Sequence, residues 1–231
     1  MGFIVIEGLD GSGKSTQIQF IEEYFRRENI KTRFVHFPRT HSVVWGDLIS
    51  RFLRGELGKI DTVNPYLVAL IYAGDRKDFA SEIMQWMKEG NIVIADRYLY
   101  SNIAFQCAKI SNKDEKEKLA KWIKYLEYEY NRIPVPDLNL YLNVPFGFTR
   151  LSLTKQRTGD DRNYLNGSTD IHEADLEFQQ KVKDTYLWQV EENEDFEMID
   201  CAGNEGEMLS PYEISQKVMD KVMHKVIKKI S

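Results

Sequence analysis

Cysteine is scarce: Cys107 and Cys201 are the only two in the chain. So few thiols, so far apart, build neither a disulfide framework nor a thiolate metal site, and a reducing cytoplasm is the expected setting. Each is expected to be a small buried apolar side chain. Long apolar runs are missing too; none approaches the roughly 20 residues of a membrane-spanning helix. The opening Met1-Gly2-Phe3-Ile4-Val5-Ile6-Glu7 lacks a basic start, and its apolar run is too short for a secretory signal. There is no basic excess, because 31 Lys and Arg face 36 Asp and Glu, for a formal net charge of -5. Such a balance cannot neutralise long phosphate runs, so neither a nucleic-acid polymer nor a membrane surface is an expected partner. A small anion held by a few local cations remains open. Internal repeats, linkers and low-complexity blocks are also lacking.

Short apolar runs alternate with longer helical patterns along the 231 residues. Strands are expected at 3–6, 32–37, 91–96, 138–142 and Phe196–Asp200. Ile92-Val93-Ile94-Ala95 is continuously apolar, as in a strand buried on both faces. Helices are expected at 14–28, 42–53, 114–130, 144–154 and 171–191. Another starts at Asn64-Pro65 and runs towards Lys88, straight or broken. Ser210-Pro211-Tyr212-Glu213 has the form of a capping box and opens the last helix. Strands separated by helices imply parallel crossovers: a doubly wound, five-stranded α/β sheet flanked by helices, in one domain. The polar stretch 155–169 is too short for a domain and is a candidate lid.

Gly8-Leu9-Asp10-Gly11-Ser12-Gly13-Lys14-Ser15 fits G-x-x-x-x-G-K-[ST], the phosphate-binding P-loop, between an apolar strand and a helical pattern. Glycines let successive backbone N–H groups curl towards phosphate oxygens, and the helix that follows adds its positive end. Gly8, Asp10, Gly11, Ser12, Gly13, Lys14, Ser15 and Thr16 are therefore the expected nucleotide-holding residues. Lys14 can reach the β- and γ-phosphates, and the Ser15 hydroxyl can bind Mg²⁺. Asp96 ends the third strand, at the carboxyl edge where α/β sheets bind ligands. It could hold Mg²⁺ through water, orient Arg97, or be an ordinary loop acid.

A P-loop alone does not choose between kinases, GTPases and motor ATPases. The guanine-reading N-K-x-D is absent from the sequence. The form Glu7-Gly8-Leu9-Asp10-Gly11-Ser12-Gly13-Lys14-Ser15-Thr16-Gln17 resembles that of thymidylate kinases. So do Asp96-Arg97-Tyr98 with Ser101-Asn102 and Ala104-Phe105, Phe37-Pro38-Arg39, and Tyr72 with Arg76. The resemblance implies transfer of phosphate from ATP, with Mg²⁺, to thymidine monophosphate, in a cytoplasmic homodimer. It implies that Arg39 and Arg97 hold the acceptor phosphate and that Tyr72 stacks on thymine. Arg76 would read a thymine carbonyl, Asn102 would face the base edge, and Phe105 would lie beside the sugar. Asp10 would approach the 3′-hydroxyl, and Phe37 and Ser101 complete the acceptor site.

Tyr72 and Arg76 are also one helical turn apart and can bracket a flat ring. Taken singly, each has a plainer reading: Tyr72 and Phe105 as packing, Arg39 as a loop cation, Arg76 as the salt-bridge partner of Asp75 or Asp78. Some thymidylate kinases carry an arginine in the P-loop where this chain has Gly11. The resemblance then implies that the lid supplies the charge, through Lys155, Arg157 and Arg162. Arg157 would lie near ATP and Arg162 near the transferring group; a solvated loop of mixed charge is the alternative. Residues 202–206 are a candidate wall for adenine. The rival functions are a kinase for another nucleotide or a deoxynucleoside, and a nucleotide-binding regulator without turnover.

Overall fold

The computed structural model describes residues 2–154 (backbone alone for 153 and 154), 164–165, 170–173 and 175–227. One parallel sheet contains β1 (Gly2–Glu7), β2 (Thr32–His36), β3 (Ile92–Asp96), β4 (Leu138–Asn143) and β5 (Phe196–Asp200). The strand order is β2-β3-β1-β4-β5. β1 and β3 are buried from end to end. Helices cover both sheet faces, which is why these strands read as apolar runs rather than as alternation.

Alternate β1 residues serve different cores, as the period of two demands. Ile4 and Ile6 pack with Ile18, Ile21 and Phe25 of α1 (Lys14–Arg27) and with Ile214, Val218 and Val222 of α8 (Pro211–Lys225). Phe3 and Val5 face the other layer. It is built from α3 (Pro65–Lys88), α4 (Leu99–Cys107), α5 (Lys113–Lys124) and α7 (Leu176–Glu192). The pairing of Ile6 with Asp96 sets the ends of β1 and β3 side by side. The glycine-rich loop after β1 therefore meets Arg97 after β3 at one sheet edge, where crevices form in such folds.

The five expected strands are all present, and Ser210 with Glu213 forms the expected capping box. Several helical boundaries differ. The helix expected at 42–53 is α2 (Trp45–Leu53), and that expected at 144–154 is α6 (Phe146–Thr154), starting beyond Pro145. The helix expected at 171–191 begins at Leu176, where the Asp175 carboxylate caps the Phe178 N–H. α3 is continuous through Gly74; a Cβ there would lie 2.6 Å from the Trp45 ring, so glycine lets α2 pack closely on α3. α4 was not expected, because all nine of its residues are buried and leave no amphipathic period. The single helix expected over 114–130 is two structures. It is α-helical to Lys124 and then π-helical over Tyr125–Tyr130, with the Asn131 N–H donating to Leu126 O at 2.8 Å.

Candidate active site

The loop between β1 and α1 folds around its own lysine. The Lys14 ammonium is buried and donates to Leu9 O at 3.0 Å and Gly8 O at 3.4 Å. It lies 3.9 Å from Asp96 Oδ1. Burial first, and the charge of Arg97 second, push its pKa down, against the pull of Asp96, Asp10 and Glu7. Burial opposes the charge on Asp96, yet Lys14, His36 and Arg97 outweigh it and hold this carboxyl below its usual range. Asp96 Oδ2 is 3.4 Å from His36 Nδ1, while Oδ1 is buried with no hydrogen-bond donor among the described residues. Gly11 has φ +73, and a Cβ on it would meet Ser152 Oγ at 2.4 Å. A side chain at position 11 would thus be strained in its backbone and would require Ser152 to shift.

Arg97 is the hinge between the two strand ends. It is a non-glycine residue at φ 68, and its N–H donates to Ile6 O at 3.0 Å. Its guanidinium donates to Asp10 Oδ1 at 2.9 Å and Ser101 Oγ at 3.2 Å, and lies 5.0 Å above the Phe105 ring. Glu7, wholly buried at the end of β1, organises this region. It accepts from the Tyr98 N–H at 2.8 Å, the Ser101 N–H at 3.1 Å, the Ser101 hydroxyl, and the Tyr186 hydroxyl at 2.9 Å. One carboxyl group thereby ties β1 to the start of α4 and to α7, with its buried oxygens satisfied by four donors.

A cavity of about 580 Å³ opens above this edge. Asp10, Gly11, Lys14 and Ser15 line it together with Asp96 and Arg97. Phe37, Arg39, Tyr72, Arg76, Ser101, Asn102 and Phe105 line it as well. Gly8, Ser12, Gly13 and Thr16 share the loop but are not part of the lining, and the lining includes none of residues 202–206. Arg157, Arg162 and Lys155 lie outside the described residues, as does all of the expected lid except 164 and 165.

The cations have particular partners. Arg39 Nε donates to Asp75 Oδ1 at 3.0 Å and Nη2 to Asp78 Oδ2 at 2.6 Å, with the guanidinium 4.6 Å from the Phe79 ring centre. The reading that pairs Arg76 with Asp75 or Asp78 is therefore corrected. Helix neighbours one or two apart point away from each other. Arg76 instead turns inwards and forms a two-point pair with Glu127 of the π-helical turn. Burial opposes the charge on Arg76, and Glu127 then raises its pKa. Tyr72, one turn before Arg76, has its hydroxyl pKa raised, chiefly by burial.

Several lining residues were not anticipated from the sequence. Asp170 is buried and accepts from the Tyr164 hydroxyl at 2.8 Å and the His172 N–H at 2.8 Å. Burial, followed by the charges of Asp10 and Glu173, pushes its carboxyl up to about 6. His172 packs 4.9 Å from the Phe105 ring, and burial keeps it neutral. Asp170 directly follows the candidate lid and His172 falls within the helix expected over 171–191; no motif marks either as part of a site. Both cysteines are free and buried, and burial raises each thiol to about 12, which leaves them inert.

The sequence model of the family described as Thymidylate kinase matches residues 6–210. A Thermococcus onnurineus protein named "Probable thymidylate kinase" is 28% identical over 239 residues, covering 98% of this chain and 100% of its own length. The thymidylate kinase of Mycobacterium tuberculosis is 30% identical over 183 residues, 79% of this chain and 83% of its own. The structure of thymidylate kinase from Candida albicans superposes with a TM-score of 0.70 at 24% identity, covering 96% of this chain and 91% of that one. With the P-loop, Asp96-Arg97 and the Tyr72–Arg76 turn gathered on one cavity, this match over most of the chain means that the protein belongs to the thymidylate kinase family.

Proposed function

We propose that this protein transfers the γ-phosphoryl group of ATP to thymidine monophosphate, giving ADP and thymidine diphosphate. The observation that carries the reading is the shared cavity. The phosphate cradle at Asp10, Gly11, Lys14 and Ser15 and the ring-bracketing set Tyr72, Arg76, Asn102 and Phe105 line the same space. Two nucleotides would meet there with their phosphates together and Arg97 between them.

The acceptor oxygen is anionic near neutral pH, so the step needs no strong base. It needs in-line placement and positive charge fixed around the transferring group. Lys14 and Arg97 are buried and held by Leu9 O and Asp10, so little reorganisation accompanies reaction. Arg39 is held by Asp75 and would grip the acceptor phosphate from the α3 side. Tyr72 would stack on the base, a contact worth about 1–3 kcal/mol, and Phe105 would flank the sugar. In this reading Arg157 and Arg162 would add lid charge, and closure would exclude water that otherwise hydrolyses ATP.

The residues present also suit Mg²⁺. Asp96 Oδ1 is a buried oxygen without a donor among the described residues, and Asp96 lines the same cavity as Ser15. A hard cation needs few protein oxygens when phosphates supply the rest. Ser15 directly and Asp96 through water would hold it, and the ion would neutralise charge on the phosphates.

We also infer a cytoplasmic homodimer. Leu67 and Leu70, one turn apart near the start of α3, and Met84 further along it are exposed apolar side chains that a second copy would cover. Light scattering of the purified protein tests this, and a monomer at micromolar concentration refutes it. The activity is tested with ATP, magnesium and a panel of nucleosides and monophosphates, followed by product analysis. Thymidine diphosphate is the expected product; its absence, with another acceptor converted, overturns the assignment.

A further inference from the structure

The π-helical turn Tyr125–Tyr130 carries one buried carboxylate. Glu127 is wholly buried, beneath the wall formed by Arg76 and Asn102. Its Oε2 accepts from Arg76 Nε, and its Oε1 accepts both Arg76 Nη2 at 2.7 Å and Asn102 Nδ2 at 2.9 Å. Asn102 Nδ2 donates its second hydrogen to Ala69 O at 3.0 Å. Both amide hydrogens are thus consumed by acceptors of the protein. Asn102 Oδ1 is buried with no hydrogen-bond donor among the described residues, and the residue lines the cavity.

A flip of this amide would set Oδ1 against a carboxylate and a carbonyl, an arrangement of acceptors alone. Glu127 therefore fixes the amide with its oxygen as the one polar atom left for a ligand. It also takes two of the three nitrogens of Arg76, leaving Nη1 uncommitted to Glu127 on a residue that lines the cavity. The wall then offers a donor from Arg76 and an acceptor from Asn102. A pyrimidine with a carbonyl at position 4 and an N–H at position 3 complements that order. Cytosine presents an amino group and a bare ring nitrogen there, the reverse order.

We propose that Glu127 is a positioning residue for base selection: by orienting Arg76 and Asn102 it makes the site accept thymine and reject cytosine. The inference rests on the thymidylate reading of the same cavity. Buried polar groups left facing the wrong partner are what give hydrogen-bonding sites their discrimination.

The test compares kcat/KM for dTMP and for 5-methyl-dCMP, which share the methyl group and differ at the base edge. In Glu127→Gln, the carboxamide can offer Asn102 a donor as well as an acceptor, so the amide is free to turn. The ratio of the two kcat/KM values is expected to fall by about tenfold or more, through KM of the monophosphate, with KM for ATP unchanged. A merely structural role would lower both substrates together and leave the ratio alone, and that result overturns the proposal. If Glu127→Gln does not fold, Glu127→Asp keeps the charge facing Arg76 but withdraws it by one methylene; it should narrow the same ratio, and an unchanged ratio again refutes. If the unaltered protein makes no dTDP, the thymidylate reading itself has failed, a result distinct from an unchanged ratio in an active enzyme.

Discussion

Removing the Tyr186 hydroxyl isolates one strand of the network that holds Arg97. The ring stacks on Tyr141 with centroids 4.7 Å apart, and Tyr186→Phe keeps that packing. The hydroxyl donates to Glu7 at 2.9 Å, shares a contact with Ser101 Oγ at 2.8 Å, and is 3.5 Å from Arg97 Nη1. A hydrogen bond to a buried charge is worth about 1.5–3 kcal/mol. Glu7 keeps its donors from Tyr98 and Ser101, so its charge is not stranded and the low end, about 1.5 kcal/mol, applies. For a chain of this size that lowers the melting temperature by about 3–6 °C. Arg97 retains its shorter bonds to Asp10 and Ser101, so kcat should fall by less than about tenfold. Thermal melts and steady-state kinetics with both substrates varied read the two effects. A melting temperature within a degree of the parent would refute the assigned role of Glu7 and its donors. A loss of activity beyond a hundredfold would mean that Tyr186 touches the reaction itself.

Lys14→Met replaces the buried ammonium with a side chain of similar length. Its kcat should fall by about a hundredfold to a thousandfold, as for loss of one preorganised charge donor. The circular dichroism spectrum should be unchanged, and turnover within fivefold of the parent would count against the cradle. Asp170→Asn tests the carboxyl raised to about 6. Because the folded value lies above the unfolded one, the associated stability is fully present below about pH 4 and is lost as pH rises to about 6. The asparagine variant should therefore melt higher than the parent at pH 8, by no more than the equivalent of about 3 kcal/mol. That advantage should vanish at pH 4, and equal melting temperatures at both pH values would refute the burial of a charged Asp170.

What could be read from the sequence was what lies close together along the chain. The P-loop is eight consecutive residues, and its curl depends on glycines inside the motif itself. Strand β3 announces itself because Ile92 to Ala95 are buried on both faces. Tyr72 and Arg76 share a helix turn, so their joint presence on the cavity follows from spacing alone. The partners that give these residues their chemistry come from far away. Glu127 is 51 residues from Arg76, and Tyr186 is 179 residues from Glu7. No local pattern ties such pairs. The sequence of 114–130 reads as one amphipathic helix, and nothing in it marks Glu127 as the partner of an arginine 51 residues away. Glu127 lies buried against Arg76, where an unpaired guanidinium would have been costly to bury. The residues of the cavity wall are thus local features of the sequence, while their orientation is set by charges delivered through the fold. It follows that exchanging Tyr72 or Arg76 would alter which bases bind, whereas exchanging Glu127 would alter how sharply they are told apart.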